Sequence, residues 1–195
     1  MNDRRWIDWL LRPPLDGPRA TLAVRLMAGA VFLWEGLLKF VYANQGVGRF
    51  TKLGFPFPEL TATFVGGLEI VGGILLLVGL GTRMISIAFI VEMLVAMLST
   101  KPRLFLGTSP LPLPPVPPQV GMWAVLHEIR SEYAQLMSCV FLLAAGPGPL
   151  SLDASLAAPE RSGRHGGAPW DSRESSADVL DRRAPAAVVH GGRRG

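Results

Sequence analysis

Four glutamates stand in stretches that are otherwise almost wholly apolar. Glu35, with Lys39, falls in TLAVRLMAGAVFLWEGLLKFVYA, Glu69 in LTATFVGGLEIVGGILLLVGL, Glu92 in MISIAFIVEMLVAMLST and Glu132 in MWAVLHEIRSEYAQLMSCVFLLAA. If these stretches lie in a bilayer, each central charge costs about 2.5–3.5 kcal/mol on insertion scales. Carboxyls kept at that cost either pair and lock helices together, or line a proton path or a ligand site. The residue types alone leave both uses open.

Helical spacing brings these groups onto defined faces. Ala28, Phe32, Glu35 and Lys39 form one stripe, with Arg25 a turn before it, and Glu35 is within reach of Lys39 at i, i+4. Glu69 shares its face with Gly66, Gly72 and Gly73, which let a neighbouring helix or a flat ligand approach the backbone. Ala88, Glu92, Ala96 and Ser99 form the third face, and Glu128, Glu132, Gln135 and Cys139 the fourth. With the N-terminus on the cytoplasmic side, Glu35, Glu69, Glu92 and Glu132 fall between the middle and the outer half of the membrane. Arg25, Glu35, Lys39, Glu69, Glu92 and Glu132 are therefore the candidate intramembrane polar cluster and cofactor-binding set, with the catalytic residue, if any, unassigned.

Other chemistries find little support. Cys139 is the single cysteine, so there is neither a disulfide nor a CxxC redox pair. The three histidines are His127, at the edge of the fourth apolar stretch, and His165 and His190 near the C-terminus, which excludes a bis-histidine haem within the first three stretches. No E-x-x-H pair marks a carboxylate metal site, and no metal is expected. Phosphate-binding loops, dinucleotide glycine patterns and serine elbows are also absent.

Positioning these groups requires long apolar helices, and the sequence supplies them. Of 195 residues, 49% are hydrophobic and 17% charged, an unusually apolar balance. The pattern predicts an all-α, polytopic membrane protein: a four-transmembrane-helix bundle with spans of about 21–43, 60–80, 84–100 and 126–145. Spans two and three, separated by Gly81-Thr82-Arg83, form an antiparallel hairpin. NQGVGRFTKLGFPFPE reads as a loop. The prolines at 110, 112, 114, 115, 117 and 118 make 101–121 an extended external connection, a stiff spacer in preference to a docking motif.

The chain thus divides into a basic, interfacial N-terminal segment (1–20), a membrane domain (21–150) and a C-terminal tail (151–195) whose mixed charge and few large hydrophobes predict disorder. Arg4, Arg5, Arg12 and Arg19 precede the first span, which places both termini in the cytoplasm. Arg4-Arg5 reads as a basic anchor and not as a cleaved twin-arginine peptide. The net charge of +4 is spread over termini where acids nearly balance it, so no nucleic-acid surface is expected. The excess of Arg over Lys and the abundance of Ala, Gly and Pro point to a bacterial plasma membrane.

Arg25-Leu26, Glu35-Gly36-x-x-Lys39, Leu53-Gly54-Phe55-Pro56, GLEIVGGILLLVGLGTR at 67–83 and GPGPLSLDA at 146–154 together resemble the DoxX family of small four-helix membrane proteins. The resemblance spans roughly residues 20–155. It implies a four-helix membrane fold and quinone-coupled oxidation, as in the membrane subunit of a thiosulfate:quinone oxidoreductase or of complexes with thiol and superoxide enzymes. This chain carries Glu35 where the family often has histidine, and its proline-rich loop and tail look like additions.

Two functions follow. The first is a quinone-interacting membrane subunit of an oxidoreductase complex: no redox centre is demonstrable in the sequence, quinone is the cofactor the polar faces suit, and electrons come from soluble or membrane redox partners. The second is a non-catalytic scaffold or assembly factor that recruits partner proteins through its loop and tail. A small transporter ranks below both, because no repeat of broken helices is evident.

Overall fold

A computed structural model describes residues 9–10 and 13–162. By backbone contacts Met1–Ala158 group into one compact unit, which holds all that follows except residues 159–162 at the end of the last helix. The elements are α1 (Thr21–Val41), α2 (Val47–Leu53), α3 (Pro58–Val78), α4 (Thr82–Leu106), α5 (Met122–Glu128), α6 (Arg130–Ala145) and α7 (Leu152–Ser162). No strand occurs among the described residues. By length and composition, α1, α3 and α4 can each cross a membrane.

The ends of these helices follow from local chemistry. Pro58 occupies the first turn of α3, where its missing N–H is not needed, and Glu59 sits favourably at the positive end of the helix dipole. Gly79 ends α3 and Gly81 opens α4, with φ of 74° and 59°. That left-handed backbone is accessible to glycine at little cost, and it allows α3 and α4 to reverse direction within three residues.

Four segments differ from the sequence expectation, the first being the fourth span, expected as one helix over about 126–145 and found as α5 and α6, divided at Ile129. The stretch read as the first loop contains α2, closed by Gly54 with φ 78° and seated by the burial of Leu53. The third long helix does not stop near residue 100: α4 runs through Pro102 to Leu106. Three contacts hold the extension, namely the Lys101–Glu132 ion pair, a hydrogen bond from Arg103 to Leu53 O, and the burial of Leu104. The expected tail begins with a helix, α7, because Ser151 Oγ accepts a bond from Ala154 N–H as an N-cap does. The Asp153 carboxylate also accepts from Gly81 N–H, at 3.1–3.2 Å. The remainder of the expected tail, 163–195, and residues 1–8 and 11–12 of the N-terminal segment lie outside the described residues.

The helices pack as two close pairs, α1 with α3 and α4 with α6. In the first pair glycines face glycines: a Cβ on Gly29 would fall 2.9 Å from Gly73 O, and one on Gly36 would fall 2.8 Å from Gly66 O. Small residues at these crossings let the backbones touch, which is how helices associate where lipid competes with every apolar contact. Between the pairs lies a core of Ala28, Phe32, Leu76, Phe89, Met93, Cys139 and Leu142. Its centre is the Phe32–Phe89 stack, with ring centroids 3.6 Å apart and planes 9° from parallel.

Arg25 and Arg83 tie one end of the bundle. Arg25 donates to the carbonyls of Pro147 (2.7 Å), Leu150 (2.6 Å) and Leu77 (3.4 Å). Arg83 donates to Leu143 O and Ala144 O and lies 4.0 Å over the Trp9 ring. A guanidinium fans several N–H groups in one plane, so a single side chain satisfies carbonyls freed at the end of α6.

Candidate functional site

At the other end of the bundle the two helix pairs diverge and enclose a cavity of about 620 Å³. Most of its wall is apolar, built from residues such as Phe32, Val65, Leu68 and Met93, and α2 with Phe55 contributes its roof. The polar groups arrive one or two per helix, each for a reason in the local packing.

Gly36 brings α1 against α3, and three residues further on Lys39 reaches across to Glu69: Nζ lies 2.5 Å from Oε2. The side chains are 13% and 3% exposed, so this is a buried ion pair. Glu92 comes from α4 and sets its carboxyl beside Glu69, near Lys39. Glu92 Oε2 is enclosed, and the two carboxyls are close enough to share a proton. One ammonium therefore faces two carboxyls, an arrangement that is electroneutral when the carboxyls hold one proton between them. Lys39 has three N–H bonds, and the contact with Glu69 uses one of them.

The remaining sequence candidates fall in different places. Glu35 lines the same cavity but is exposed, and it does not take Lys39 as its partner. The expected i, i+4 pair gives way to the pair across helices because Glu69 is the carboxylate cut off from solvent, and a buried charge gains more from a counterion. Glu132 also lines the cavity, held 2.6 Å from Lys101 Nζ and 3.2 Å from Ser131 Oγ. Arg25 does not join the cluster. It lies fourteen residues before Lys39 on the same helix, about 21 Å along the axis at 1.5 Å per residue, and serves the carbonyls at the opposite end.

Sequence reasoning missed two groups. Lys101 was assigned to the external connection, and only the continuation of α4 past Thr100 points it at Glu132. Arg49 lines the cavity from α2, within a stretch whose glycines and polar residues read as loop. Neither has a local signal, since each depends on which segment packs over the cavity mouth. Gln135, noted on the face of Glu132, lines the cavity and donates to Ala28 O at 3.3 Å, linking α6 to α1. Among the described residues no three His, Cys, Asp or Glu side chains converge as a metal site.

The sequence profile of the DoxX family matches residues 20–102, the segment carrying Lys39, Glu69 and Glu92. An uncharacterized membrane protein of Mycobacterium tuberculosis is 37% identical over 147 residues, covering 72% of this chain and 83% of that protein. The chain belongs to the DoxX family. A further relative, CatD of Bacillus subtilis, whose assigned name suggests an oxidoreductase, is 29% identical over 90 residues, covering 46% of this chain and 66% of CatD. No solved structure matches the chain. The profile match and the apolar helices α1, α3 and α4 make this a membrane protein in contact with lipid. The DoxX match ends before the proline-rich segment and before Glu132, so the Lys101–Glu132 pair lies at and beyond its boundary.

Proposed function

We propose that the chain is the membrane subunit of an oxidoreductase complex and that its cavity binds a quinone. The observation that carries this reading is the Lys39–Glu69–Glu92 cluster set in the wall of a largely apolar, 620 Å³ cavity. A flat apolar ring with two carbonyl oxygens suits such walls. The residues present fit it: Lys39 retains N–H donors, and the Glu92 carboxyl, enclosed beside Glu69 in the cavity wall, is a second hydrogen-bonding group. A quinone bound there supplies two-electron chemistry that none of the protein's own side chains can perform.

The chain's own work is then binding and proton handling. Lys39 orients a carbonyl oxygen and stabilises negative charge that develops on it, in a site with little water to screen the interaction. Glu92, beside Glu69, holds or accepts a proton within reach of the ring, and Glu35 faces the same cavity. The electrons come from a partner protein. In this reading α5 and α6 together form the fourth crossing of a bacterial plasma membrane, and the basic residues before α1 keep both termini in the cytoplasm.

The test is mass spectrometry of organic extracts from mildly purified protein, alongside the Lys39→Met and Glu69→Gln double variant. Near-stoichiometric quinone in the wild type and little in the variant supports the proposal. Absence from both, with partners still captured, assigns the chain to a scaffolding role instead.

A further inference from the structure

Helices α3 and α4 leave the Gly79–Gly81 turn in contact. A Cβ on Gly72 would lie 2.6 Å from Phe89 Cζ and 3.2 Å from Ile85 Cγ2. About a turn further from the hairpin Glu69 meets Glu92. Beyond that level the cavity opens between the helices, with Phe64 and Val65 of α3 facing it from one side and Val91 and Val95 of α4 from the other.

Phe64, Val91 and Val95 are also 66%, 55% and 46% exposed. A residue that both lines a cavity and faces outward marks an opening. These three lie well inside their helices, where the outward face meets hydrocarbon and not water. The rim they form carries no charge. Of the charged lining groups, Lys39, Glu69 and Glu92 stand further in, Glu35 is exposed on α1, and Arg49 with Glu132 stands on α2 and α6, so none belongs to α3 or α4 at this rim. Polar groups inside and an apolar rim at membrane depth complement a ligand with a polar head and a long hydrocarbon chain.

We infer that the gap between α3 and α4 is a lateral portal, through which a quinone with an isoprenoid-like chain loads from the bilayer. Its ring sits against Lys39 and Glu92, and its chain lies across Phe64, Val91 and Val95 into the lipid. This rests on the quinone reading of the cavity and adds to it the route and the chain that is recognised. An apolar chain leaving by way of α2 would instead pass the Arg49 guanidinium and the Lys101–Glu132 pair, which would lose hydration without gaining a partner.

The portal is tested with purified full-length protein in lipid nanodiscs, titrated with a benzoquinone carrying a decyl chain and with the same ring lacking it. The Val95→Trp variant fills the rim from a position that already faces outward, and Val91→Trp repeats the test from the next turn. Leu98→Trp, on an exposed α4 position that does not line the cavity, is the control. Each rim variant is expected to weaken the decyl quinone about tenfold, the equivalent of roughly two methylenes of lost contact. Binding of the bare ring should stay within about twofold, and Leu98→Trp should change neither. Undiminished decyl-quinone binding in both rim variants, or equal weakening of the two ligands, overturns the portal while leaving the quinone site standing. If the wild type binds neither ligand, the site reading fails and the portal fails with it.

Discussion

Replacing Gly73 by alanine should separate α1 from α3, and the structure gives the size of the effect. An added Cβ would sit 2.8 Å from Gly29 O, 2.8 Å from Leu33 N and 3.1 Å from Leu33 Cα. All three are backbone atoms, so no change of rotamer relieves the contact. Ordinary van der Waals contact begins near 3.4 Å, and the two helices must therefore move apart by roughly 0.6 Å along a crossing that Gly29, Gly36, Gly66 and Gly73 jointly make. Over-packing of this kind costs about 1–3 kcal/mol, and the better helix propensity of alanine returns up to about 1 kcal/mol. The expected net destabilisation is about 1–2 kcal/mol.

Gly67, on the same helix, supplies the control: a Cβ there meets nothing within 4 Å, so Gly67→Ala should be neutral or stabilise by up to about 1 kcal/mol. Both variants are compared by unfolding in mixed micelles with increasing SDS, followed by far-ultraviolet circular dichroism. Equal midpoints for Gly73→Ala and wild type, or equal losses in the two variants, would refute the argument that backbone contact at these glycines sets the α1–α3 crossing.

Lys39→Met leaves the 3%-exposed Glu69 side chain without its counterion and should cost about 3 kcal/mol in the same assay. Adding Glu69→Gln should recover most of that loss, and purely additive losses would show that the pair is not coupled. In Arg25→Lys a single ammonium cannot reach the carbonyls of Leu77, Pro147 and Leu150 together. Amide hydrogen exchange across 148–154 should then accelerate, with a stability loss of about 1–2 kcal/mol, whereas unchanged exchange would mean that Arg25 does not hold this segment. Cys139 is fully buried in the core, so a maleimide should modify it only after denaturation; labelling of native protein at the rate of a free thiol would contradict the packing of α6 against α4.

The DoxX-like blocks named in the sequence include several residues that the structure uses. Gly36 and Gly73 sit in helix crossings, Lys39 and Glu69 form the buried pair, and Gly79 and Gly81 take the left-handed turn. These are legible because each rests on local chemistry: a charge in an apolar run, a small residue on a helix face, a glycine where backbone must turn. Helix α2 was not legible. Its seven residues carry no sustained apolar period, and only packing at the mouth of the cavity stabilises so short a helix.

By itself the sequence determined that long apolar helices would carry glutamates inward, because period and composition act over one or two turns and need no partner. Partnership was decided only in three dimensions. Glu35, Glu69, Glu92 and Glu132 are equivalent when read along the chain, yet Glu69 takes Lys39, Glu92 lies against Glu69, Glu132 takes Lys101, and Glu35 faces the cavity. Arg25 shares a helix with Lys39 but answers carbonyls at the far end. The energy of an ion pair depends on separation and burial, and both are set by how α1, α3, α4 and α6 cross, which no single helix encodes.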